Sequence, residues 1–382
     1  MRCIRFSAIL LVLSGISFAT NGDFLIGVGA VSRGMGGVGI ATVTNADSTI
    51  FSNPALMTEY KRAVLSLGGT LFMPHTKGYA NGSSATSNAK YFAIPSIGFI
   101  YPMSQKWFFG ISAYGISGMG VDYRNTNVKC NPKSFGCYTN LQTMELAPSL
   151  AYKVNEKFSV GFGLDLAYGA LDLGAGLSSD YSVGAQVGLS YKVAPTVTLG
   201  AVIKSPLKLN FARVGDFNGD GVLDDMTLEQ PWVFGAGIGV TPAEKLKVTL
   251  ELMYLPWNKG EGYKDFGWKE QWVFKVGGEY KVTDKLTLRA GYNYGKSPVK
   301  GSTFNTTNPL LEGAECMKIV GFPAIAEHHI SLGAGYNLTQ NVRLDISYMH
   351  AFENTVQSVV NGHLYKSKLS EDSVSIGLTW NF

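Results

Sequence analysis

Apolar and polar residues alternate with a period of two along most of this chain. From Leu286 to Tyr294 the even positions are apolar or aromatic, while Thr287, Arg289 and Asn293 are polar. Val342 to Tyr348 repeats the pattern with Arg343, Asp345 and Ser347 opposite, and Leu246 to Tyr254 with Lys247, Thr249 and Glu251. The last such segment runs from Val374 to Phe382. A period of two sends alternate side chains to opposite faces of a sheet. Fourteen segments of this kind begin near residues 62, 91, 107, 140, 158, 180, 196, 230, 246, 268, 285, 326, 341 and 369.

A soluble β-sandwich also alternates, but length and aromatic placement weigh against one. The predicted strands run about nine to fifteen residues, enough to cross a bilayer at a tilt, whereas ordinary strands average about five or six. Tyr152, Tyr168, Tyr191, Tyr280, Tyr294, Tyr336 and Trp380 fall near strand ends, as an aromatic girdle requires. Short turns are expected at 103–106, 155–157, 194–196, 241–245, 283–285 and 339–341, with seven longer stretches between them. Short turns on the periplasmic side and long loops outside are the habit of bacterial barrels, and an even strand count returns both ends to one side.

Composition sharpens this picture. The chain has 46 Gly, 19 Tyr and 21 Phe but only 16% charged residues, a recipe for side chains that face lipid. No apolar run of about 18 residues follows the leader, so a spanning structure has to be a closed barrel with every backbone group paired. Arg2 and Arg5, the apolar stretch from Phe6 to Ile16 and the small-residue site Ser17–Ala19 form a signal peptide, predicting a mature chain from Thr20. Cys3 precedes the apolar run, which excludes a lipoprotein. Net charge is +4, two of those charges leave with the leader, and nothing here suits nucleic acid. The organisation expected is a signal peptide (1–19), an N-terminal segment (20–61) and an all-β, 14-stranded antiparallel transmembrane β-barrel (62–382). Its place is the bacterial outer membrane, as a monomer inserted in the lipid bilayer by the barrel assembly machinery.

Residues 20–61 do not alternate. They are Gly-rich and would expose Phe24, Leu25, Ile26, Ile40 and Ile50 if they hung free. Folded into the lumen they would bury these residues, and a barrel of fourteen strands has the room. We therefore expect a plug.

The run Ser32, Arg33, Gly34, Met35, Gly36, Gly37, followed by Asn53, Pro54 and Ala55, resembles the N-terminal hatch of FadL-type outer-membrane transporters. That family carries long-chain fatty acids and aromatic hydrocarbons through fourteen-stranded barrels. The resemblance implies a hatch (plug) that occludes the lumen and helps form a hydrophobic pocket, and a kinked strand that leaves a lateral exit. It implies uptake of small hydrophobic molecules. The competing expectation is a structural or adhesive barrel that acts through its outer loops.

Several further sites are expected from the residues. Trp107–Gly120 carries glycines at 110, 115, 118 and 120; glycine inside a strand marks a bulge, so this is the candidate wall opening, with Phe108, Tyr114 and Met119 as its apolar path. Strand faces carry Glu145, Asp165, Lys192, Lys204, Lys247, Glu251, Lys275, Glu279, Arg289, Arg343 and Asp345. Their mixed signs point to an ion-paired network holding the plug, or else to one cation reserved for an acidic head group. Asp216, Asn218, Asp220 and Asp224 sit at calcium-loop spacing around Gly221, but Thr227 replaces the final acid; the segment reads as a structural calcium loop or as a plain acidic turn, and no other cofactor is expected. Cys130 and Cys137 are expected to pair in an exported chain, with Cys316 left as a free thiol. No catalytic residues are expected: His328 and His329 are adjacent on a strand and point to opposite faces, so the chain is read as no enzyme.

Overall fold

The computed structural model describes residues 20–80, 82–130, 138–218 and 220–382. Fourteen antiparallel strands form a closed barrel: β1 (Val64–Ala80), β2 (Phe92–Pro102), β3 (Trp107–Asp122), β4 (Tyr138–Lys153), β5 (Phe158–Asp172), β6 (Leu177–Ala194), β7 (Val197–Lys204), β8 (Val233–Ala243), β9 (Leu246–Leu255), β10 (Gln271–Lys281), β11 (Leu286–Gly295), β12 (His328–Asn337), β13 (Val342–Val360) and β14 (His363–Asn381). Each pairs with the next, and β14 closes on β1 in unbroken register from Lys366–Tyr79 to Asn381–Val64. The expected strand count holds.

The faces are those of a membrane barrel. Leu67, Leu71 and Ile97 point outward and are more than two-fifths exposed, while Ser66, Thr70 and Ser96 between them are buried in the lumen. Tyr101, Trp107, Tyr191, Tyr280, Tyr336 and Trp380 are likewise exposed on the outer wall. All six expected short turns are present, but two of the seven long connections are not. Strands β13 and β14 meet in the two-residue turn Asn361–Gly362, and residues 173–176 join β5 to β6. The last strand begins at His363, six residues before its expected start, because Lys366 and Lys368 interrupt its outward face.

Inside the barrel lie α1 (Gly29–Arg33), α2 (Ala46–Ser52) and a 3-10 turn, Pro54–Glu59. Ile26, Val38, Ile50, Leu56 and Met57 are fully buried there. The wall meets this plug with bare backbone. A side chain at Gly291 of β11 would collide with the backbone of Met35 and Gly36, and one at Gly188 of β6 with Asn53. Gly36 and Gly37 themselves have φ of +70° and +80°, a conformation open to glycine at little cost.

The outer mouth is covered by the hairpin Leu207–Gly215/Asp224–Gln230, the segment 256–270, and helix α3 (Pro309–Cys316), which continues as one wide turn through Gly321. One disulfide ties this cover: Cys130 bonds Cys316 across 186 residues of sequence. The expected Cys130–Cys137 bond and the free Cys316 are thus both corrected; Cys137 itself lies outside the described residues. Closeness in sequence was the wrong guide, because the folded loops bring a residue beyond β3 against one that precedes β12.

Candidate functional site

The seam between β2 and β3 is incomplete. Pairing runs from Pro102–Phe108 to Ser96–Tyr114 and stops there. On its other side β3 stays joined to β4, with an irregularity between Gly115 and Ser117 where an extra residue, Ile116, is accommodated. Tyr114 through Met119 are all buried, so the strand turns into the lumen at this point. The plug fills the place that β2 vacates: Phe24 pairs with Ser117. A β-bulge bends its strand and ends regular pairing, which is the effect seen here at the glycine-rich stretch.

Behind this break lies a largely apolar cavity. Phe24, Leu25, Ile40 and Phe51 of the plug form one wall; Ile116, Val202, Val233 and Met253 of the barrel form the other. Glu145, Asp165, Lys204 and Lys275 reach its rim. The outer cover ends directly on it. Trp257 packs on Phe24 with ring centres 4.9 Å apart and on Trp268 at 5.3 Å. Tyr263 donates its hydroxyl to Asp23 Oδ2 at 2.5 Å. Burial pushes the Asp23 carboxyl up to about 6, opposed by the Tyr263 hydrogen bond and by the nearby Ser117, Gly118 amide and Gln230. Plug, bent strand and outer loops therefore converge on one residue.

The rest of the plug is held by polar contacts with the wall. Glu251 Oε1 accepts the amides of Gly39 and Ile40 at 2.7 and 2.6 Å, and Lys275 donates to the Gly37 carbonyl at 2.9 Å. Arg33 donates to Ser373 at 2.7 Å, Ser96 donates to Asp47 at 2.6 Å, and Lys192 pairs with Glu59 at 2.6 Å. Asn53 donates to the carbonyls of Ile40 and Leu189 at 2.7 and 2.9 Å, and its own carbonyl accepts from the Ala55 amide at 3.1 Å. Pro54 follows it at the first position of the turn, where no amide is needed.

The sequence pattern of the family described as outer membrane protein transport protein (OMPP1/FadL/TodX) matches residues 13–203 and 175–381. The chain belongs to that family. Among its relatives is a long-chain fatty acid transport protein of Escherichia coli, 22% identical over 390 residues, with 82% of this chain and 83% of that protein covered. Outer membrane protein P1 of Haemophilus influenzae is also 22% identical, over 392 residues, covering 82% of each chain. Among solved structures, the toluene transporter TodX of P. putida superposes with a TM-score of 0.72 at 18% identity, covering 93% of this chain and 99% of that one. A Pseudomonas aeruginosa FadL homologue gives 0.72 at 17%, covering 94% and 100%. Membership places this transporter in the bacterial outer membrane and favours transport over adhesion.

The structure gathers some expected site residues and scatters others. Arg33, Gly34, Met35, Gly36, Gly37, Asn53, Pro54 and Ala55 all lie against the wall, Gly34 at Gly333 of β12 and Pro54 and Ala55 at Gly161 of β5. Phe108, Tyr114 and Met119 do not form one path. Phe108 is buried with the plug core, Tyr114 stands edge-on to Phe51 at 5.2 Å, and Met119 lines a separate small space beside Thr20 and Pro74. The cavity residues Val202 and Met253 were missed. Their signal is an apolar side chain on the otherwise polar face of an alternating strand. In the outer hairpin, Asp216, Asn218, Asp220 and Asp224 accept hydrogen bonds from the loop's own amides at Asp220, Gly221, Val222 and Phe217. Among the described residues no group of three or more His, Cys, Asp or Glu is arranged to hold a metal ion. His328 is exposed and His329 buried, on opposite faces of β12.

Proposed function

We propose that this transporter carries small hydrophobic molecules, fatty acids or hydrocarbons, from its outer mouth into the lumenal cavity and out through the wall beside Ile116. The observation that carries this reading is the apolar-lined cavity seated against the unpaired stretch of β3. A water-filled pore opposes passage of an apolar solute, because each CH₂ moved out of an apolar phase costs about 0.8 kcal/mol. An apolar cavity that empties sideways into lipid lowers that barrier, since the solute need not return to bulk water. The cargo is moved unchanged, so no catalytic group is required. The carboxylates of residues 216–225 are read as turn formers that rigidify the outer hairpin through its own amides.

Filling the cavity tests the reading. Val202→Trp should cut cellular uptake of a radiolabelled apolar compound about tenfold while the barrel still inserts and stays heat-modifiable on gels. Uptake unchanged by a filled cavity would overturn it.

A further inference from the structure

The outer wall changes character where β14 and β1 leave the membrane. A strand rises about 3.3 Å per residue and tilts about 40°, so about ten residues cross the apolar band of roughly 25 Å. Counted from Leu65, which pairs with Trp380 at the periplasmic side, that band ends at His75. Elsewhere this level is aromatic: Phe234, Tyr254 and Trp272 are register neighbours at the outer ends of β8, β9 and β10. On β14 and β1 it is cationic. Lys77 and Lys368 are register partners, and the next outward-facing pair joins Tyr79 to Lys366. All four side chains share the outward face of the sheet with Leu71 and Val374.

Two of these lysines are left without an acid. Glu353 takes Lys368 at 2.8 Å. Just inward, Asp372 is occupied by His75 at 3.2 Å, by His350 at 2.8 Å and by the Tyr348 hydroxyl. Among the described residues Lys77 and Lys366 have no carboxylate partner; both ammonium groups face the one Tyr79 ring, 5.1 and 5.3 Å from its centre. Like charges set directly opposite on neighbouring strands repel, so the three lysines stand together at a cost that an anion would relieve. A phosphate group suits them, since its several charged oxygens can meet more than one ammonium group. Directly inward of the lysines, Leu71, Val374 and Ile376 are exposed to hydrocarbon. We infer that this face binds an outer-leaflet lipid with a phosphorylated head group, Lys77 and Lys366 holding the phosphate while Leu71, Val374 and Ile376 lie along the acyl chains. A lipid so placed bridges β14 and β1, the seam where the barrel closes.

Native mass spectrometry of the full mature chain, released from detergent micelles, tests this with diphosphorylated lipid A as the probe. The unaltered chain should retain a single copy, and should bind the same glycolipid stripped of its phosphates about tenfold more weakly. Lys77→Gln with Lys366→Gln should weaken binding of the phosphorylated lipid about tenfold, since lysines beside a membrane surface each add to the hold on an anionic head group. Lys245→Gln with Lys285→Gln removes the same charge from the periplasmic turns and should change nothing. Inorganic phosphate in excess should leave the lipid bound, because the acyl chains supply part of the hold. Binding that survives the outer pair of substitutions, or falls equally with the periplasmic pair, would overturn the site. Equal retention of the phosphate-free lipid would overturn the phosphate contact, and displacement by inorganic phosphate would make this a site for a soluble anion and not for a lipid.

Discussion

Two seams of the barrel behave in opposite ways. Between β14 and β1, where the two ends of the chain meet, pairing continues from Lys366–Tyr79 to Asn381–Val64 without a break. Between β2 and β3, neighbours in sequence, it covers only Ser96–Tyr114 to Pro102–Phe108. The seam with the greater loop-closure cost is the complete one. In hydrocarbon an unpaired edge is tolerated only where it is buried in protein or lines a cavity, so the short seam survives because Phe24 of the plug pairs with Ser117 in place of β2. The lesson is that the wall's weak place is built by a local bulge and a plug strand, and not by imperfect closure.

That contrast can be broken at the bulge. Deleting Ile116 removes the extra residue and lets β3 run in register with β2 beyond Tyr114. Uptake of apolar solutes should fall about tenfold, with the closing seam and the insertion of the barrel intact. Uptake that survives the repaired seam would mean the cargo leaves by another route.

A smaller effect sharpens the plug's part in the same seam. Because burial raises the Asp23 carboxyl from 3.8 to about 6, the folded state holds the proton more tightly than the unfolded chain does. The stabilisation from the protonated acid is full below about pH 4 and is lost as pH rises through 6. It is worth roughly 3 kcal/mol at most. Amide exchange over residues 20–28, corrected for intrinsic rates, should therefore quicken between pH 5 and pH 8, and Asp23→Asn should flatten that dependence. A slope that persists in the amide variant would place the titrating group elsewhere.

The barrel was largely legible in sequence because lipid outside and polar lumen inside impose a period of two on every strand. Thirteen of the fourteen expected starts lie within three residues of those observed, from Val64 to Val342. His363 escaped because the β13–β14 hairpin continues past the apolar band. The glycines of β3 marked the bent strand correctly, since the requirement there is local. The cavity was not legible in the same way. Val202 and Met253 are marked only by being apolar on the lumenal face, and which of them meet at one cavity depends on register. Phe108, Tyr114 and Met119, chosen for nearness along one strand, were dispersed once that strand bent. The Cys130–Cys316 bond joins loops whose contact is fixed only by the closed barrel.

The most direct measurement pins the plug strand to the bent wall. A Phe24→Cys, Ser117→Cys chain carries its two new thiols at register partners, and oxidation would lock them together. With the unaltered chain treated identically, to account for the Cys130–Cys316 bond, uptake of a labelled neutral hydrocarbon should be abolished by oxidation and restored by reductant. Equal uptake by the locked and reduced forms would contradict a lateral route past Phe24.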